Sequence, residues 1–151
     1  MSRYKADIKV KTRSRVVDEA SRQFRAKGFG GASIADIMGA LDMTVGGFYK
    51  HFASKDQLFS EALTASLIDS SKRFSRSDAS AGGDAWLKSV AEVYLTTAHR
   101  DNISKGCPIA ALSTDIPRSD DATRETYEHL LEEYIRGIQQ NTSDTSETSR
   151  A

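Results

Sequence analysis

Residues 43–59 read MTVGGFYKHFASKDQLF, and the fold turns on how this stretch is understood. Thr44 is a good helix N-cap, and Phe48 and Phe52 stand four residues apart on one helical face. Between Thr44 and Phe48 come two adjacent glycines, Gly46 and Gly47. Glycine inside a helix costs about 1 kcal/mol relative to alanine. Ser54-Lys55-Asp56-Gln57 then opens another helix as a capping box, yet Lys55 puts a cation at a helix start, where the dipole disfavours it. Helix stability alone explains neither feature.

Upstream, the pattern is helical. A first helix is expected from about Thr12 to Lys27, with Val17, Ala20 and Phe24 on one face, ended by Gly28 as a left-handed C′ residue. Ser33-Ile34-Ala35-Asp36 is a second capping box, and Ile34, Ile37, Met38 and Leu41 fall at i, i+3, i+4, i+7. Asp42-Met43 makes a tight turn into the helix capped by Thr44. Two short helices joined by a turn, braced by a first helix and followed by a long fourth one to about Phe74, form the layout of a helix-turn-helix unit. In that layout the glycines lie where a recognition helix enters the major groove. The missing side chains let its backbone come close to phosphates or base edges, and Lys55 at the next helix start suits a docked phosphate.

Downstream, SRSDASAGG (75–83) reads as a loop. A fifth helix is expected from Asp84 to about Arg100, a short one bracketed by Pro108 and Pro117, and another from Asp120 or Asp121 to about Gln140. Residues 141–151 are polar and read as a disordered tail. With no sustained period-two alternation the fold class is all-α. The division expected is a helix-turn-helix domain over 1–54, with a basic arm at 1–11, and a helical effector-binding and dimerisation domain over 55–140.

The composition excludes several classes. One cysteine, Cys107, rules out an internal disulfide, and three scattered histidines offer no metal-ligand spacing. No nucleophile–base pair or phosphate loop marks an enzyme, no cofactor or metal is implied, and no long apolar run marks a membrane span. A cytoplasmic location is the default. The formal net charge of zero hides an asymmetry: residues 1–60 carry eleven Lys/Arg against six Asp/Glu, and residues 61–151 ten against fifteen. Six cations in RYKADIKVKTRSR (3–15), among them Arg3, Lys11 and Arg13, suit an arm that neutralises DNA phosphates, and equally a solvated terminus.

Phe24-Arg25-Ala26-Lys27-Gly28-Phe29, Ser33-Ile34-Ala35-Asp36-Ile37 and the run Asp42 to Leu58 together resemble the DNA-binding domain of TetR-family (tetracycline-repressor-like) transcriptional regulators. The resemblance covers about a third of the chain. It implies that Ser33 and Thr44 cap their helices and offer hydroxyls to phosphates, that Tyr49 and Lys55 contact the DNA backbone, and that Val45 and Lys50 sit at or near base edges. Gly47 departs from a position where the family often has a small hydroxyl or methyl group, and Met43 replaces a usual valine. His51 is expected to be a satisfied, partly buried histidine.

The family further implies a homodimer on a palindromic double-stranded DNA operator, acting as a repressor of a neighbouring gene released by a small-molecule effector. Trp86, Val90 and Tyr94 facing Tyr127, Leu131 and Tyr134, with Cys107 beside them, would line the effector pocket; an ordinary helical core is the alternative for the same stripe. The two final helices that typically build the family's dimer would begin where this sequence ends. Two other readings stay open: a protein-interaction or ligand-binding module on the same scaffold, and a thiol-based sensor of electrophiles or oxidants using Cys107, near which the sequence places only Lys105 to lower its pKa.

Overall fold

Val16, Ala20 and Phe24 recur every fourth residue and are fully buried, which makes their helix one wall of the core. The computed structural model describes residues 2–75 and 83–143, with side chains from Asp7 to Arg73 and from Gly83 to Ser143. All regular structure among them is helical. In order come α1 (Ser2–Gly31), α2 (Ile34–Gly39), α3 (Val45–Phe48), α4 (Lys55–Ser75), α5 (Gly83–Tyr94), α6 (Thr97–Asp101), α7 (Pro108–Leu112) and α8 (Asp121–Ser143). Short 3-10 turns at Ile103–Lys105 and Ile116–Arg118 flank α7.

The caps behave as the sequence indicates. Ser33 Oγ accepts from the Asp36 amide at 3.0 Å, Thr44 Oγ1 from Gly47 at 3.2 Å, and Ser54 Oγ from Gln57 at 3.0 Å. Asp120 Oδ1 accepts from Thr123 at 2.8 Å and starts α8. Gly28 breaks α1 with φ +72°, leaving Phe29–Gly31 as a separate terminal turn. Asp42, at φ +58°, makes the turn between α2 and α3.

Helix α4 is the spine. On one side Phe24 of α1 meets Phe59 edge-on at 5.1 Å, and Ser21 and Ser66 hydroxyls pair at 2.6 Å. On the other side α8 and α7 pack, so Leu58, Phe59, Leu63 and Leu67 share one cluster with Leu112 and Ile116. Each fully buried large side chain here contributes about 1.5–3 kcal/mol.

Four expectations are corrected. Residues 2–11 form the first turns of α1 and not a separate arm, so their cations ride on a helix. The expected fifth helix is two: Thr96 adopts extended backbone and caps α6 through His99 N at 3.0 Å, which breaks the helix after Tyr94. Pro117 lies inside a 3-10 turn, with α7 ending earlier at Leu112. Residues 141–143 continue α8, where a tail was expected from 141. The rest of that tail, and residues 76–82 of the expected loop, lie outside the described residues.

Candidate nucleic-acid interface

The helix-turn-helix is built from the inside. Ile37, Met38, Phe48 and Phe52 are at most 2% exposed, and Phe48 and Phe52 stack at 5.3 Å. With those side chains inward, α3 turns Val45, Gly46, Tyr49 and Lys50 outward. Val45 is 42% and Tyr49 61% exposed, large apolar surface on a unit whose core is otherwise closed. Ser33 and Thr44 are exposed beside them.

The glycines have no packing reason to be glycines. A Cβ on Gly46 would meet nothing within 4 Å, and one on Gly47 would make only ordinary contacts, 3.5 Å from Thr44 Oγ1 and 3.8 Å from Met38 Cε. Neither has positive φ. The free protein would accept alanine at both.

Lys55 is different, because the structure supplies its intramolecular reason. Its ammonium donates to Phe29 O at 2.5 Å and lies 4.4 Å from the centre of the Phe29 ring. The lysine thus closes the terminal turn of α1 and stands half-buried. The cation at a helix start is retained by a carbonyl and a ring, a role the sequence reading missed.

Arg13 also turns inward. It forms a two-pronged ion pair with Glu61 of α4, one prong at 2.6 Å, and its guanidinium lies 4.4 Å above the Phe52 ring. That hydrogen bond holds the Glu61 carboxyl below its ordinary pKa and raises that of Arg13. Lys11 is exposed on the same helix; Arg3 lies in its first turn, its side chain outside those described.

His51 is half-buried as expected, but it is not satisfied: among the described residues its buried Nδ1 has no hydrogen-bond partner. Burial lowers its pKa, and Lys9, Arg13 and Lys50 add to the effect. Those three cations, two from α1 and one just after α3, therefore lie within electrostatic reach of His51. Lys9 was visible in the sequence only as part of a basic run.

The effector-pocket residues do not line one pocket. Trp86 and Tyr134 border a cavity of about 60 Å³. Tyr94 borders another of about 30 Å³ with His99 and Pro108. Val90, Cys107, Tyr127 and Leu131 line neither. The physical reason is that α8 spends its apolar face on α4, where Tyr127 and Leu130 join the shared core. Ligand pockets are typically about 300–1,000 Å³, and these cavities hold a few waters. Cys107 is half-buried and pairs with the Tyr94 hydroxyl, whose pKa that contact and burial raise. Tyr134 is pushed up to about 12, by burial first and then by Cys107. Arg25 lies within electrostatic reach of the thiol, so Lys105 is not the only cation near it.

An exposed leading edge on a closed helix-turn-helix core fits a DNA-binding regulator of transcription. Residues 16–62 match the family model described as "Bacterial regulatory proteins, tetR family". The chain is also 24% identical over 138 residues to the HTH-type transcriptional repressor DhaR of Mycobacterium sp. (strain GP1), covering 90% of this chain and 68% of that protein. Residues 16–62 thus form a TetR-type DNA-binding domain. Among the described residues no helix is long and apolar enough to cross a membrane.

Proposed function

We propose that the chain is a repressor that binds a palindromic duplex operator in the cytoplasm as a homodimer and leaves it when a small effector binds. The observation that carries the reading is the α3 edge. Gly46 has open space where a Cβ would sit, while its neighbours Val45 and Tyr49 are large and exposed. A surface that forgoes helix propensity and exposes apolar groups suits close approach by a duplex. The repressor function of the mycobacterial relative supports the sign of regulation. Val45 offers apolar contact to a thymine methyl, Lys50 reaches a guanine edge or a phosphate, and Tyr49, Ser33, Thr44 and Lys11 serve the backbone. Two such heads must sit one helical turn apart, about 34–36 Å, which makes the operator two-fold symmetric. Arg13 positions α1 against α4, and Lys55 fixes the end of α1; neither is required as a direct contact.

The test is binding to DNA flanking the protein's own gene, followed by fluorescence anisotropy across a salt series. Tyr49→Ala and Lys50→Ala each weaken binding roughly 5- to 150-fold, and Lys50→Ala reduces the logarithmic salt slope by about 1. If both leave affinity and slope unchanged, the contact face is wrongly assigned. A genome-wide selection that recovers no protected palindrome favours the protein-interaction reading.

A further inference from the structure

Arg25 is a charged residue buried to 9% exposure that has no ion-pair partner among the described residues. Its Nε donates to Ser104 O at 2.9 Å, and no carboxylate comes within salt-bridge distance. Buried charges are ordinarily paired as well as hydrogen-bonded. The neighbouring carboxylate, Asp69, is taken by Arg73 at 2.6 Å, and Arg22 pairs with Glu19 at 3.0 Å. Burial pushes the Arg25 pKa down, and Arg73 pushes it further.

The guanidinium borders two spaces. One is the cavity of about 30 Å³ beside Tyr94. The other is a groove of about 330 Å³ between α1, α4 and the Ile103–Lys105 turn. That groove carries Arg22, Arg25, Arg73 and Lys105 against Asp18 and Asp69, a positive excess with Arg25 at its buried end. Its size suits a small metabolite.

We propose that this groove binds an oxyanion, the carboxylate or phosphate group of a small molecule, with the Arg25 guanidinium as its anchor. The planar fork of arginine matches either group two-pronged, and Nε is already fixed by Ser104, so little ordering remains for the terminal nitrogens. Arg25 belongs to α1 and Ser104 and Lys105 to the turn before α7. The bound anion therefore ties the helix-turn-helix head to the C-terminal half. The site does not rest on the operator assignment, and it is tested without DNA.

The experiment uses the whole chain in a buffer free of phosphate and carboxylates, with ionic strength held by sodium chloride. Inorganic phosphate and acetate are titrated separately, and Tm and the Nε–H resonance of Arg25 are followed. At ten times its dissociation constant the preferred anion raises Tm by roughly 5 °C. The Arg25 resonance moves saturably with it, while that of Arg118 stays in place. Preference for phosphate or for acetate identifies the group bound. Arg25→Gln abolishes the response, and Arg25→Lys, which keeps charge without the fork, weakens it about tenfold. The proposal is overturned by the absence of a saturable shift with both anions, or by an equal response in Arg25→Gln. Should Arg25→Gln not fold, the wild-type resonance decides the matter.

Discussion

The helix-turn-helix head and the C-terminal half are both helical, yet they close their cores differently. In the head, Phe24, Phe48, Phe52 and Phe59 are at most 2% exposed, and the notable exposed apolar residues of the turn region are Val45 and Tyr49. In the C-terminal half Val93, Leu95, Ile103 and Ile135 are 46–78% exposed, while Trp86, Leu112 and Ile116 are buried. The head is a finished platform whose exposed apolar residues lie at the α3 edge and, as Ile8 and Val10, near the start of α1. The second half completes its packing by leaning on α4 and leaves apolar residues facing out. A DNA-binding head must hold a fixed shape to present its reading edge.

The largest effect should come from the head core. Phe24→Ala costs about 3–5 kcal/mol, read by denaturant unfolding followed by far-UV circular dichroism and by Trp86 fluorescence. Because the single tryptophan lies in the C-terminal half, coincident loss of both signals shows that the two regions unfold together through α4. A Trp86 transition left in place would instead separate them. Leu112→Ala, the matching cavity on the other side of α4, costs about 2–5 kcal/mol by the same measurement; a much smaller loss would show that this half collapses around the hole.

Lys55→Ala should cost about 1–2 kcal/mol, from the Phe29 carbonyl bond and the ring contact. Operator affinity, measured at a temperature where both proteins are folded, should change less than it does in Tyr49→Ala. The reverse ranking would return Lys55 to the phosphate contacts that the family resemblance implies. Gly46→Ala should have the opposite sign on stability, raising it by up to about 1 kcal/mol, while weakening DNA binding. Tighter or unchanged binding would remove the reason given for the bare edge.

The smallest effect is on pH dependence. The folded Glu61 pKa lies below its ordinary 4.5, so its contribution is present above that pH and lost as pH falls through the folded value. The folded His51 pKa lies below 6.5, so the stability associated with its neutral form is retained above 6.5 and declines as pH falls through the folded value. Glu61→Gln should flatten the acid limb, and His51→Asn the limb just below neutrality. Unfolding midpoints of both variants against pH provide the check.

Much of the head is legible in sequence because its signals are local. Ser33, Thr44 and Ser54 cap helices within three residues of themselves, and Gly28 must take a left-handed backbone where α1 breaks. The Phe48–Phe52 spacing assigns an inward face, whereas the outward roles of Val45, Tyr49 and Lys50 follow only from the family resemblance. Lys55 is not legible in this way: its partner, Phe29, is 26 residues away. Arg13 reads as one more cation of a basic run until Glu61, 48 residues on, takes it. Six of the seven residues of the expected effector pocket share an amphipathic pattern, but that pattern does not say which neighbour each face meets.

What the sequence determined by itself is the helical class, the caps and turns, and the helix-turn-helix layout, all written in spacings shorter than two helical turns. Tertiary structure alone decided where the long-range charges went. It turned Arg13 and Lys55 into internal ties and left Arg25 buried with no counter-ion among the described residues. Ion pairing and burial depend on which helices meet across α4, and that geometry is carried by no single segment of the chain.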